Sequence, residues 1–202
     1  MHPLEAKKSH IGTGRLTHRA LINSEIIVGI NFDLEKRFQQ LINDPKYTPM
    51  VLYPGENSIN LSEQTLDKKK FTAKIPLIFI IDGTWPCAKK IMKLTTSLHH
   101  LSRISFNPDL ESKFDIKNQP AKFCLSTIES VYVVLSELER QEIESIGDNK
   151  ETLLQALQAT VNYHVEIAKD PSRNNYHRTS NRPKEVSQRR VSKKWENRSL
   201  LH

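Results

Sequence analysis

The chain has 202 residues, 37% hydrophobic and 26% charged, with a formal net charge of +7. No apolar run approaches the ~18 residues of a membrane-spanning helix, and two cysteines, Cys87 and Cys124, exclude a disulfide framework and a cysteine-built metal cluster. The charge is localised: residues 171–202 hold nine of the 30 Lys/Arg and two of the 23 Asp/Glu, so this segment carries the whole +7.

The N-terminal "MHPLEAKKSH" has no apolar stretch behind its charges, unlike a secretory signal. A reducing cytoplasm is the expected location. "GRLTHRALIN" (14–23) reads as a short helix, and "SEIIVGI" (24–30) as a strand apolar on both faces. "FDLEKRFQQLIND" (32–44) places Leu34, Phe38, Leu41 and Ile42 at helical spacing ahead of Pro45. "TPMVLYPG" (48–55) is a second strand, stopped by Pro54-Gly55. Residues 57–74 are polar and irregular. "IPLIFIID" (75–82) is the most apolar strand, and 84–98 follow as a helix with Pro86 in its first turn. Residues 101–106 form a strand and 125–140 a helix whose Ser126 and Glu129 match a capping box. A long last helix covers 151–169, and no period continues beyond Pro171.

Alternating strands and helices predict an α/β fold, a mostly parallel sheet with helices on both faces. Such sheets bind ligands beyond the carboxyl ends of their strands. Asp82, Pro54-Gly55 and the Ser126-Thr127 helix start all fall at such ends. Asp82 or Thr84 suits an N-cap of the helix after it; Asp82 equally suits a general base or ligand anchor. Trp85 is either core or a flat stacking platform, and Pro54-Gly55 either a plain turn or a bare-backbone ligand approach. His99-His100, with no acid or cysteine at ligand spacing, read as surface or RNA-facing residues. No GxGxxG or Walker loop is present.

Four blocks in order then carry a resemblance: "HPLEAKKSHIGTGRL" (2–16), "LYPG" (52–55), "DGTW" (82–85) and "LSTIES" (125–130). The chain resembles the DTW-domain family of tRNA-uridine aminocarboxypropyltransferases across about residues 2–140. The resemblance implies a fold related to the knotted, SPOUT-like α/β methyltransferases, with a C-terminal knot. It implies S-adenosylmethionine as co-substrate, no metal, and tRNA as partner. The product would be 3-(3-amino-3-carboxypropyl)uridine, with methylthioadenosine released. On that resemblance Asp82, Thr84 and Trp85 take catalytic or anchoring roles. Pro54, Gly55, Leu125, Ser126, Thr127 and Glu129 wall the cofactor. His2, Lys8 and Arg15 lie near the RNA face or the site's rim. The tail is not part of the resemblance; its localised charge makes Arg189, Arg190, Lys193 and Lys194 candidate RNA-phosphate contacts. Residues 1–170 would be the catalytic domain and 171–202 a disordered basic RNA-binding tail. The zinc element and apolar strand that family members carry ahead of His-Pro are expected to be missing here. No membrane and no obligate protein partner are expected. The alternatives are an RNA methyltransferase of the same fold group and an inactive RNA-binding member.

Overall fold

The structure is a computed structural model that describes residues 1–7, 12–107, 112 and 124–169. Strands β1 (Tyr47–Leu52), β2 (Ile59–Asn60), β3 (Ile75–Ile80) and β4 (Ser102–Ser105) form one sheet in the order β2-β4-β1-β3. Every pair is parallel, with Leu52 opposite both Ile80 and Ile104.

The central strand shows why its sequence is apolar without alternation. Met50 and Val51 are neighbours on β1 and point to opposite faces, yet are 1% and 0% exposed. Val51 packs with Phe38 of α3 (Lys36–Asn43) and with Ile91 and Met92 of α4 (Trp85–Leu94). Met50 packs with Ile104 and with Val134 and Leu138 of α5 (Thr127–Arg140). A sheet covered on both faces wants apolar side chains on both. Truncating one such residue to alanine costs about 2–5 kcal/mol.

A third cluster fixes the layer that frames the site. Ile128 and Val131 of α5 meet Leu153, Leu157 and Val161 of α6 (Glu151–Lys169). Leu16 and Ala20 of α2 (Thr13–Ala20) pack onto that pair. Helix α2 is thereby held beside the start of α5. A short helix α1 (Pro3–Ala6) precedes it.

The mostly parallel sheet with helices on both faces is present, but some elements differ from expectation. Residues 24–30 form no strand. Among the described residues their backbone bonds to Met1, whose amino group donates to the Ile27 carbonyl at 2.8 Å and whose carbonyl accepts from Gly29 at 3.1 Å, and to the Thr95 hydroxyl, which donates to the Ile30 carbonyl at 3.4 Å. These isolated bonds make no ladder, and Val28 stays 49% exposed despite its β-branched character. Residues 57–74 are less irregular than their polarity suggests: they contain β2 and a 3-10 turn, Lys68–Phe71. The helix expected over 84–98 ends at Leu94, and a 3-10 turn, Thr96–His100, continues it. Asp33 stabilises that turn, accepting from the Thr96 and Ser97 amides at 2.9 and 3.0 Å. Finally, β3 is the most apolar strand but lies at the sheet edge, and β1 holds the centre.

Candidate active site at the carboxyl ends of the strands

Two residues past β3, Asp82 reaches the end of the sheet where α2 and α5 converge. Its Oδ1 accepts a hydrogen bond from Thr127 Oγ1 at 2.7 Å, and its carbonyl accepts from the His2 amide at 2.9 Å. Thr127 is the first residue of α5, and a capping box holds that helix start rigid. Glu129 Oε2 accepts from the Ser126 amide at 2.7 Å and the Ser126 hydroxyl at 2.6 Å, with Ser112 Oγ at 2.9 Å. Glu129 is 3% exposed and Ser126 7%. The donor to Asp82 thus sits on a built support.

The other side of Asp82 is set by a glycine. A Cβ on Gly14 would stand 2.6 Å from Asp82 Cγ and 2.7 and 2.8 Å from its two oxygens. Only a residue without a side chain fits between α2 and this carboxylate. Gly14 is a residue that the sequence reading passed over. The signal was available: glycine inside a helix costs about 1 kcal/mol against alanine, and such a glycine usually has a packing reason. Burial holds the Met1 amino group below its ordinary pKa, and the Asp82 charge pulls it the other way.

Asp82 is not the cap of α4. Thr84 holds the N-cap position, yet its side chain makes no capping bond and is exposed. Asp82 gives its carboxylate to Thr127 across the sheet end instead. Its Oδ2 carries no hydrogen bond among the described residues, which leaves an acceptor open beside an oriented one.

On the opposite face Trp85 meets Tyr53 edge to face, with ring centroids 6.5 Å apart. Both rings are half-buried. Tyr53 directly follows β1, and Pro54 and Gly55 stand exposed beyond it. The Gly55 carbonyl accepts from the Ser58 amide and hydroxyl at 3.0 and 2.7 Å, which closes the turn. Leu125 is half-buried just before the capping box.

The residues expected to face RNA divide. His2 is 5% exposed, and its Nδ1 accepts from the Leu4 amide at 3.1 Å. Its Cβ lies beside Gly83, and its amide bonds to the Asp82 carbonyl. Arg15 is exposed, and its Nη2 donates to the Ala6 carbonyl at 2.6 Å. Lys8, Arg189, Arg190, Lys193 and Lys194 lie outside the described residues. Three lysines went unremarked in the sequence: Lys89, Lys90 and Lys93 share the exposed face of α4, the helix that begins at Trp85.

No group of three or more His, Cys, Asp or Glu is placed to hold a metal ion among the described residues. No described helix is long and apolar enough to cross a membrane.

Comparison with protein families matches the DTW domain over residues 1–165. A curated relative in Macaca fascicularis, "tRNA-uridine aminocarboxypropyltransferase 2", is 35% identical over 117 residues, 58% of this chain and 37% of that protein. The Mus musculus protein of the same name is 33% identical over the same shares. The Drosophila melanogaster protein of that name is 28% identical over 170 residues, 82% of this chain and 62% of its own length. The chain thus matches about a third to three fifths of these relatives' length. No solved structure matches it.

Proposed function

The chain belongs to the DTW domain family, and from that premise we propose that it is a tRNA-uridine aminocarboxypropyltransferase. It transfers the 3-amino-3-carboxypropyl group of S-adenosylmethionine to N3 of a tRNA uridine. The observation that carries the reading is Asp82: one oxygen is fixed by Thr127, the other is without a hydrogen bond among the described residues, and both lie at the carboxyl end of a parallel sheet.

Uridine N3 carries a proton and is a poor nucleophile until it leaves. Asp82 Oδ2 accepts that proton or anchors the N3–H, while the Thr127 bond fixes the direction of its lone pairs. Gly14 keeps α2 from displacing the carboxylate. The donor, when bound, supplies a carbon activated by a sulfonium, so methylthioadenosine departs as a neutral thioether without a general acid. The task left to the chain is orientation. The residues suit such a donor: a bare glycine turn at 54–55 and Tyr53 follow β1, Trp85 in contact with Tyr53 opens α4, and Thr127 opens α5.

The wider reading is that residues 1–170 form the catalytic domain of a cytoplasmic enzyme, with a knotted fold of the SPOUT type. Residues 171–202, with Arg189, Arg190, Lys193 and Lys194, add sequence-independent contacts to tRNA phosphates. The exposed Lys89, Lys90 and Lys93 support RNA approach along α4.

The test is incubation of the full chain with S-adenosylmethionine and unmodified tRNA, followed by nucleoside mass spectrometry. Aminocarboxypropyluridine together with methylthioadenosine is expected. Methylated nucleoside with S-adenosylhomocysteine would make the enzyme a methyltransferase, and tRNA binding without either product an inactive RNA-binding member.

A further inference from the structure

Arg103 is the only charged residue of β4, and it stands beside the central strand in register with Val51. Val51 belongs to the face covered by α3 and α4, so Arg103 leaves the sheet on that same side. Its Nη1 would lie 3.3 Å from a Cβ placed on Gly55. Its charge reaches Tyr53, whose phenol burial pushes up and Arg103 pulls back. Tyr53 in turn touches Trp85, three residues after Asp82.

Arg103 is half-buried, and it makes no hydrogen bond or ion pair among the described residues. No carboxylate among the described residues pairs with it, and a partly desolvated guanidinium is stabilised when something anionic completes it. Its five N–H donors form a planar fork that matches a carboxylate in two bonds. Its Nη1 stands against Gly55, a residue whose lack of a side chain lets a small anion approach the guanidinium. A phosphodiester backbone suits the open lysine face of α4 better.

On the transferase reading above, which this inference rests on, we propose that Arg103 binds the α-carboxylate of the aminocarboxypropyl group, with Tyr53 and Trp85 walling the bound chain. Arg103 lies two strand positions from β3, a separation of ~10 Å. A donor held at its carboxylate on the Arg103 side presents its aminocarboxypropyl arm along the strand ends toward Asp82. The clamp thus selects which sulfonium substituent faces the base, and Arg103 is a specificity residue for the transferred group.

The experiment is calorimetric titration of the full chain with S-adenosylmethionine, its decarboxylated analogue, and methylthioadenosine, which lacks the arm altogether. The wild type is expected to prefer S-adenosylmethionine over the decarboxylated analogue by roughly tenfold to a hundredfold. Arg103→Met should bind the two alike while keeping wild-type affinity for methylthioadenosine. Arg103→Lys, which retains charge and stem, should fall between them. A preference undiminished in Arg103→Met overturns the inference. So does equal loss of all three ligands, or loss of tRNA affinity alone, which would make Arg103 an RNA contact. Product analysis of the wild type separates the two readings: absent transfer with an intact carboxylate preference sinks the transferase reading and leaves the anion site standing.

Discussion

The two faces of the sheet end in opposite chemistry. On the α5 side the site is one carboxylate, tightly specified: Thr127 at 2.7 Å, Gly14 pressed against it, and a capping box behind the donor. On the α4 side the site is broader: a guanidinium, two rings in edge contact and an exposed glycine turn. The first half can address a proton and the second an extended anionic chain. On the proposed function the tightly built half is the one that handles a proton, and a reacting group misplaced by 1 Å can lose about a hundredfold in rate. Binding a flexible chain tolerates looser walls.

Breaking the acidic half should have the largest effect. Asp82→Asn preserves shape and removes the anion, so product formation should fall by ~10²–10⁴ while the thermal midpoint stays near wild type. Retained transfer would show that the carboxylate only fills space. Gly14→Ala should follow at roughly a hundredfold, because its methyl group claims the volume of Asp82. An unaffected rate in that variant would mean that α2 can shift freely. Thr127→Val removes the oriented donor and should cost about tenfold, with Thr127→Ser restoring activity; failure of the serine to rescue would point to packing as the cause.

Smaller effects test the supports. Glu129→Gln disturbs a buried capping box and should destabilise the fold by about 1–2 kcal/mol in denaturant titration, with no change expected in the ordinary binding of methylthioadenosine. On the α4 side, burial raises the Asp33 carboxyl, but the amides of Ser97 and Thr96 and the Thr96 hydroxyl outweigh it and bring its pKa down to about 2, from 3.8. A folded pKa below the unfolded one makes its stabilising contribution complete above about pH 4 and lost as pH falls through about 2. Asp33→Asn should flatten acid unfolding in that window, and an unchanged profile would remove Asp33 from that account.

Most of this architecture was legible before any coordinates. Met50 and Val51 reveal a two-faced strand by their adjacency, and Ser126 with Glu129 reveals a helix start. What escaped depended on partners that no local pattern carries. Residues 24–30 have strand composition but find only isolated bonds, to Met1 and the Thr95 hydroxyl, among the described residues, whereas Ile59 and Asn60 are polar-flanked and still pair with β4. Within the site, "DGTW" pointed to Asp82, yet its bond to Thr127 spans 45 residues, and local capping rules pointed to the wrong role. Arg103 left a trace as the lone charge of its short strand, a feature that gains meaning only beside the candidate site at the strand ends.

The contact between Gly14 and Asp82 also has a consequence for comparing natural variants. A methyl group at 14 would claim the volume of the Asp82 carboxylate, so either that side chain or helix α2 would have to shift. A sequence that keeps "DGTW" but carries a side chain at the position of Gly14 is expected to hold its carboxylate in another direction.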